Sequence, residues 1–152
     1  MTPKIVRLTK EHLPAVAELE RQCFPEPWSE HALELFLGEN AVAMVAVDGG
    51  TVLGYGSMLF VPGEGQLVNL AVLSTARRQG IGKQILSSLI EEAKNRGAET
   101  ISLEVRVSNA AAIALYEGFG FRSVGIRKRF YRQPVEDAAV MICDLSRKSP
   151  EI

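Results

Sequence analysis

The stretch that most constrains this chain runs through residues 68–97 and reads as strand, glycine turn, helix. A short apolar run ends at Val72. An irregular polar segment then leads to Arg77, Arg78, Gln79, Gly80, Ile81, Gly82 and Lys83, where an amphipathic helical pattern begins. Such a unit binds anions. The first turn of a helix has N–H groups without intrahelical partners and the positive end of the dipole, and glycines there let a phosphate approach the main chain.

Spelling separates three phosphate-loop readings. A nucleoside triphosphate loop, Gly-x-x-x-x-Gly-Lys-Ser/Thr, requires glycine where Arg77 stands and a hydroxyl where Gln84 stands. A dinucleotide fingerprint requires glycine where Ile85 stands. Arg77, Gly80 and Gly82 instead spell Arg-x-x-Gly-x-Gly, directly after an apolar strand. A glycine turn with solvated arginines fits the same residues.

The rest of the chain is placed around this unit. Residues 5–8 are a strand candidate, and Thr9 is positioned to cap a helix beginning near Glu11, with Leu13, Val16, Ala17, Leu19, Glu20 and Phe24 on one side. Pro25 and Pro27 break that helix, and Ser29 is positioned to cap the next, with Leu33, Phe36 and Leu37 on its inner face. Trp28, in the break, reads equally as a plug between two helices or as the lining of a substrate cleft. Residues 41–47 and 52–60 form a hairpin across Asp48-Gly49-Gly50, and residues 62–65 turn into a strand at 67–72. Gly97 stops the central helix, and residues 100–106 alternate Ile101, Leu103 and Val105 against Ser102, Glu104 and Arg106. A strand–helix–strand crossover of this length makes the two strands parallel neighbours. Ser108 and Asn109 open a short helix from Ala110 to about Glu117, and residues 121–129 and 135–145 finish as strands separated by residues 130–134.

The fold class is therefore α/β with a mixed sheet. A length of 152 residues suits one domain, 47% hydrophobic with 23% charged residues is a globular composition, and a net charge of -1 exerts no global pull toward nucleic acid or membrane. No apolar stretch is long enough to span a bilayer, the cytoplasm is the expected location, and the tail from Ser146 to Ile152 is expected to be loosely held. Cys23 and Cys143 lack metal-ligand spacing and read as packing residues, and no metal site is expected. His12 and His31 read as surface residues. Arg127, Lys128 and Arg129, with Phe130, Tyr131 and Arg132, form the only basic cluster with aromatics, read as a hairpin end bordering the acceptor cleft rather than as an RNA contact.

Open α/β sheets bind ligands beyond the C-terminal ends of parallel strands, which here are Val72 with the glycine turn and Arg106 with the helix opened by Asn109. Several stretches together resemble the GNAT superfamily of N-acetyltransferases, and within it the ribosomal-protein-alanine N-acetyltransferase branch. They are residues 23–29, 69–72, 77–82, 103–106, 108–117 and 120–121, and Tyr131 followed by Glu136-Asp137-Ala138. The resemblance implies a single domain over residues 1–152. Its sheet would be mixed and mostly antiparallel, with a central parallel pair splayed at the acetyl-CoA site and helices on both faces. By the same resemblance Leu70, Ala71 and Val72 present main-chain groups to the acetyl-pantetheine arm, Arg77, Arg78, Gln79, Gly80, Ile81, Gly82 and Lys83 surround the pyrophosphate, and Asn109 touches the cofactor. Glu104 matches the general base and Tyr116 the general acid, with Trp28 and Tyr131 toward the acceptor. The implied reaction is acetyl transfer from acetyl-CoA to the N-terminal amine of a ribosomal protein by direct attack on the thioester, without metal, membrane or direct nucleic-acid binding.

The chemistry asks for such groups independently. Attack on a thioester needs a neutral amine, a stabilised oxyanion and a protonated leaving thiolate. Glu104, on the strand face opposite Ile101, Leu103 and Val105, suits the first task and also reads as a solvated carboxylate. Tyr116 suits the last and also reads as a core aromatic, while the oxyanion would fall to a main-chain N–H near Ala71. Glu136 and Asp137 would attract a basic peptide if they face the cleft. An acetyltransferase for a small amine, polyamine or lysine, and a non-catalytic acyl-CoA-binding module, are the competing readings.

Overall fold

A computed structural model describes residues 3–146. The tail beyond Ser146, expected to be loose, lies outside the described residues. Seven strands form one sheet: β1 (Lys4–Arg7), β2 (Ala41–Asp48), β3 (Thr51–Val61), β4 (Glu64–Val72), β5 (Thr100–Arg106), β6 (Arg122–Arg132) and β7 (Val135–Asp144), in the order β1-β2-β3-β4-β5-β7-β6. Only β4 and β5 run parallel.

Local chemistry sets the connections. Gly49 and Gly50, both at positive φ, make the two-residue loop from β2 to β3, since left-handed backbone matches the strand twist. Pro62 and Gly63 alone turn β3 into β4, which starts at Glu64 rather than at residue 67. Thr9 precedes a 3-10 turn at Lys10–His12, and α1 (Leu13–Cys23) starts two residues later than the sequence suggests. The His12 ring accepts the Thr9 N–H at 2.9 Å. Ser29 caps α2 (Glu30–Leu33), its hydroxyl accepting the Ala32 N–H at 3.0 Å. A 3-10 turn continues through Glu34–Leu37. At three residues per turn Leu33 and Phe36 share a face and are buried, while Leu37, expected on that face, rotates outward and is 38% exposed. At the end of α3 (Ile81–Asn95) Gly97 takes φ 78°, with Ala98 N–H bonded to Ala93 and Gly97 N–H to Lys94, a Schellman stop.

Helices cover both faces. α3 and α4 (Ala110–Gly118) pack with Leu67, Leu103 and Val105 on one face, and α1 and α2 pack with Val45, Tyr55 and Ala71 on the other. On this second face α1 and α2 leave the β5, β7 and β6 side uncovered. β6 also departs from expectation: it runs through Arg132, so the hairpin loop shrinks to Gln133-Pro134 and the basic cluster lies within the strand, at a register shift between Arg127 and Tyr131. Propensity patterns do not reveal a bulge, because bulged residues keep strand-like neighbours.

Candidate active site

The parallel pairing of β4 and β5 lasts only from Glu64↔Thr100 to Gln66↔Ser102. Beyond it β4 carries a bulge opposite Ser57 and Met58, and a bulged strand bends away from its neighbour. The strands therefore part, and a crevice of about 210 Å³ opens between residues 67–70 and 103–106. The bulge has a second effect. Leu67, Leu70 and Val72 pack with the α3 side and Val68 and Ala71 with the α1 side, while Asn69 bonds a side chain of α1, so two consecutive residues point the same way.

With its edge released, β4 offers main-chain groups in alternation. Leu73 N–H bonds Leu53, so by antiparallel alternation the pair Ala71↔Tyr55 is hydrogen-bonded and the groups of Leu70 and Val72 face the opening. Ala71, expected to present its main chain to the opening, instead spends it on β3. The Val72 carbonyl accepts from Arg77 Nε at 3.1 Å and from the Cys23 thiol at 3.8 Å. Arg77 is thereby drawn back against the strand end.

Next comes the glycine turn. Arg78 takes φ 65° and Gly80 φ 78°, which brings the chain sharply into α3 with no side-chain cap, so the N–H groups of Ile81, Gly82 and Lys83 remain open. Ile81 itself is buried in the core and anchors the turn. Among the described residues no side chain pairs with those of Arg78, Gln79 or Lys83. A Cβ on Gly82 would lie 3.7 Å from Leu115 and 3.9 Å from Val72, so its bare side faces the gap between α3 and α4. Asn109 caps α4 through its Oδ1, which accepts the Ala112 N–H at 3.1 Å, and it also borders the crevice.

Glu104 and Tyr116 both line the crevice. Tyr116 is 7% exposed, stacked obliquely on Phe121 at 5.7 Å, and its hydroxyl has no hydrogen-bond partner among the described residues. Burial, with Tyr131 nearby, pushes its pKa well above the ordinary phenol value. The Glu104 side chain is one third exposed and meets Arg127 Nε at 3.3 Å. It also lines a larger cleft, about 590 Å³, on the uncovered face, together with Trp28, Phe130, Tyr131 and Glu64. Crevice and cleft share Glu104, Asn69 and Tyr131, so they open into one another. Trp28 packs on Phe36 at 5.1 Å and also borders the cleft.

Three residues to which the sequence reading gives no role are tied to this opening. Arg106 donates to the carbonyls of Pro134 and Gln133 at 2.9 Å each, meets Glu136 at 3.2 Å, and lies 4.3 Å above the Tyr131 ring. Burial raises the Tyr131 pKa, and that cation partly offsets the rise. The other two are Asn69 and Glu20, a carboxylate inside the apolar stripe of α1, which is itself the signal. Glu136 and Asp137 line neither crevice nor cleft, and both carboxylates are engaged by neighbours. Glu136 is held below the usual carboxylate range by Ser108 and Arg106, and Asp137 by the Arg129 N–H and Lys128. Among the described residues no cluster of His, Cys, Asp and Glu suits a metal ion, and no helix is long and apolar enough to cross a membrane.

A mixed sheet whose one parallel pair splays beside a glycine-opened, uncapped helix defines the class of acyl-CoA-dependent transferases. The family model described as Acetyltransferase (GNAT) family matches residues 13–121, and the chain belongs to that family. It is 38% identical over 144 residues to the ribosomal protein bS18-alanine N-acetyltransferase of Escherichia coli K12, covering 93% of this chain and 97% of that one. The crystal structure of the Escherichia coli ribosomal-protein-S18-alanine N-acetyltransferase superposes with a TM-score of 0.87 at 36% identity, over 99% of this chain and 98% of the other. A NatC complex bound to Gag peptide and CoA superposes with a TM-score of 0.85 at 28% identity, over 95% and 99%.

Proposed function

We propose that this chain is an acetyl-CoA-dependent N-terminal acetyltransferase that modifies the alanine N-terminus of a ribosomal protein. The observation that carries this is the opening between β4 and β5: it meets an aromatic cleft at Glu104, Asn69 and Tyr131, Tyr116 also lines it, and the uncapped first turn of α3 lies at the end of the same strand, a Cβ on Gly82 falling 3.9 Å from Val72. The bS18-alanine N-acetyltransferases it resembles supply the acceptor class.

The cofactor's pyrophosphate meets the N–H groups of Ile81, Gly82 and Lys83, with Arg78 and Lys83 adding charge, and the pantetheine arm runs past Gly82 along the edge groups of Leu70 and the N–H of Val72, whose carbonyl is taken by Arg77 and Cys23. Asn109 borders that path from α4. The peptide enters over Trp28 and Tyr131. Glu104 takes a proton from the α-ammonium, the neutral amine attacks the thioester carbon, and the Val72 N–H stabilises the oxyanion. Collapse breaks the C–S bond, the nitrogen of the adduct releases its second proton to water to leave the neutral amide, and Tyr116 gives its proton to the departing thiolate and regains one from solvent. Free phenol is a weaker acid than a thiol by about 1.5 pKa units, roughly 2 kcal/mol. Burial weakens Tyr116 further, but the same desolvation raises the basicity of a thiolate formed beside it, so the transfer is not penalised in proportion.

Direct transfer, rather than passage through an acyl-cysteine, fits the setting of Cys23, whose thiol donates to the Val72 carbonyl, accepts from Arg77 Nη2 at 3.9 Å, and has no histidine as a hydrogen-bond partner among the described residues. Site-resolved mass spectrometry tests the proposal. An Ala-initiated ribosomal-protein peptide should be acetylated on its α-amine far faster than an N-blocked peptide with an internal lysine. Acetate found mainly on lysine, or only on polyamines in a parallel assay, would reassign the acceptor.

A further inference from the structure

Glu20 is 0% exposed, the only fully buried charged side chain among the described residues. It projects from α1 into three donors. The Tyr55 hydroxyl of β3 donates to Oε2 in a short hydrogen bond, Asn69 Nδ2 of β4 donates to the same oxygen at 2.7 Å, and the Trp28 main-chain N–H donates to Oε1 at 2.9 Å. Burial, then the Glu20 charge, pushes the Tyr55 pKa well above its ordinary value, so the phenol keeps its proton and remains a donor. No cation pairs with this carboxylate among the described residues. A well-packed apolar residue would serve a helix–sheet contact at least as well as a buried charge. What the charge supplies is position.

Two of its three partners belong to the opening described above. Trp28 closes the segment after α1 and lines the aromatic cleft; Asn69 sits on the bulge of β4, where crevice and cleft meet. We propose that Glu20 is a positioning residue for the acceptor, fixing the Trp28 segment against β4 so that the cleft is preformed for the N-terminal residues of a peptide. The inference rests on the acetyltransferase reading, which supplies the acceptor. Glu20 reaches none of the cofactor groups: its bonds end at Tyr55, Asn69 and Trp28, on the α1 side of the sheet.

Glu20→Gln tests this. The amide keeps one accepting oxygen for Tyr55 and Asn69 but turns an N–H₂ toward the Trp28 N–H, releasing that segment. The expected result is a peptide KM raised about tenfold or more, with kcat within about threefold and acetyl-CoA affinity by calorimetry unchanged. Trp28 is the only tryptophan in the chain, so its emission should shift to the red and acrylamide should quench it more strongly. Leu19→Ala, a cavity beside it in α1, should lower the melting temperature without moving peptide KM or Trp28 emission. Wild-type peptide KM and emission in Glu20→Gln, or equal changes in Leu19→Ala, would overturn the proposal. Should Glu20→Gln not fold, Tyr55→Phe removes one donor alone, with a peptide KM raised about threefold expected and an unchanged one contradicting. If the wild-type chain acetylates no peptide, the acceptor reading fails while the Trp28 emission arm still judges the role of Glu20.

Discussion

In the proposed mechanism Tyr116 and Glu104 divide the two proton transfers, and their variants should separate them. Tyr116→Phe keeps the ring packed on Phe121 and removes only the proton, so kcat should fall by about 10² or more with acetyl-CoA affinity unchanged. Glu104→Gln leaves the amine to lose its proton unaided, and activity should shift toward higher pH, where an α-amine of pKa about 7.7 to 8.0 is already neutral. Steady-state pH profiles of both variants read these outcomes; near-wild-type rates in both would return the residues to packing and solvation. Cys23→Ala should retain activity within about threefold if no acyl-cysteine forms. Glu104 and Tyr116 could be singled out because motif resemblance marks them and because Glu104 lies on the polar face of β5 near its exit, and Tyr116 on the short helix that opens at the same crevice. Glu20 was visible as a charge in an apolar stripe, but its three donors come from β3, β4 and the segment after α1, distances in sequence that no local pattern spans.

Among the elements, the glycine turn yields the sharpest contrast between fold and ligand. Gly82 is helical, and a Cβ there would make only ordinary contacts with Leu115 and Val72. Gly82→Ala should therefore leave the melting temperature unchanged or slightly raised, since alanine favours a helix by about 1 kcal/mol over glycine, while calorimetry shows acetyl-CoA affinity reduced about tenfold or more. Unchanged affinity would remove the pyrophosphate from this turn. Gly97 behaves oppositely. Its φ of 78° in open space makes Gly97→Ala a purely torsional cost of about 1 kcal/mol, a melting temperature lower by roughly 3 °C, with cofactor binding intact. These turns, the crossover and the parallel pair could be read in sequence because each rests on neighbouring residues. The free edge of β4 could not. Whether Leu70 or Ala71 faces the opening depends on hydrogen-bond parity with β3, and the bulge at residues 68–69 places consecutive residues on one side. The length of β6 escaped for the same reason.

At the scale of the whole molecule, two buried phenols tie stability to alkaline pH. Tyr55 and Tyr116 both have folded-state pKa values raised above the unfolded value of about 10. Below that value both states hold the protons and stability is unaffected. Above it the unfolded chain releases protons that the folded chain retains, so stability should fall by about 1.4 kcal/mol per pH unit for each phenol. Urea titrations above pH 10 should show this slope, reduced in Tyr116→Phe; an identical slope would mean the hydroxyl ionises as readily folded as unfolded. Among the described residues the architecture places two helices on each face yet leaves the β5, β7 and β6 side of one face bare; the opening between β4 and β5 meets the cleft on that bare side, and the turn of α3 lies at the Val72 end of β4. In the proposed reading one molecule accommodates cofactor and acceptor at once, from opposite sides of the sheet. The most direct test is the affinity of a bisubstrate analogue in which CoA is joined through an acetyl bridge to the α-nitrogen of an Ala-initiated peptide. Simultaneous occupancy predicts binding at least about 10²-fold tighter than CoA alone, with no such gain when the bridge joins a lysine side chain. Equal affinity for the α-linked analogue and for CoA would contradict transfer to a peptide N-terminus in this opening.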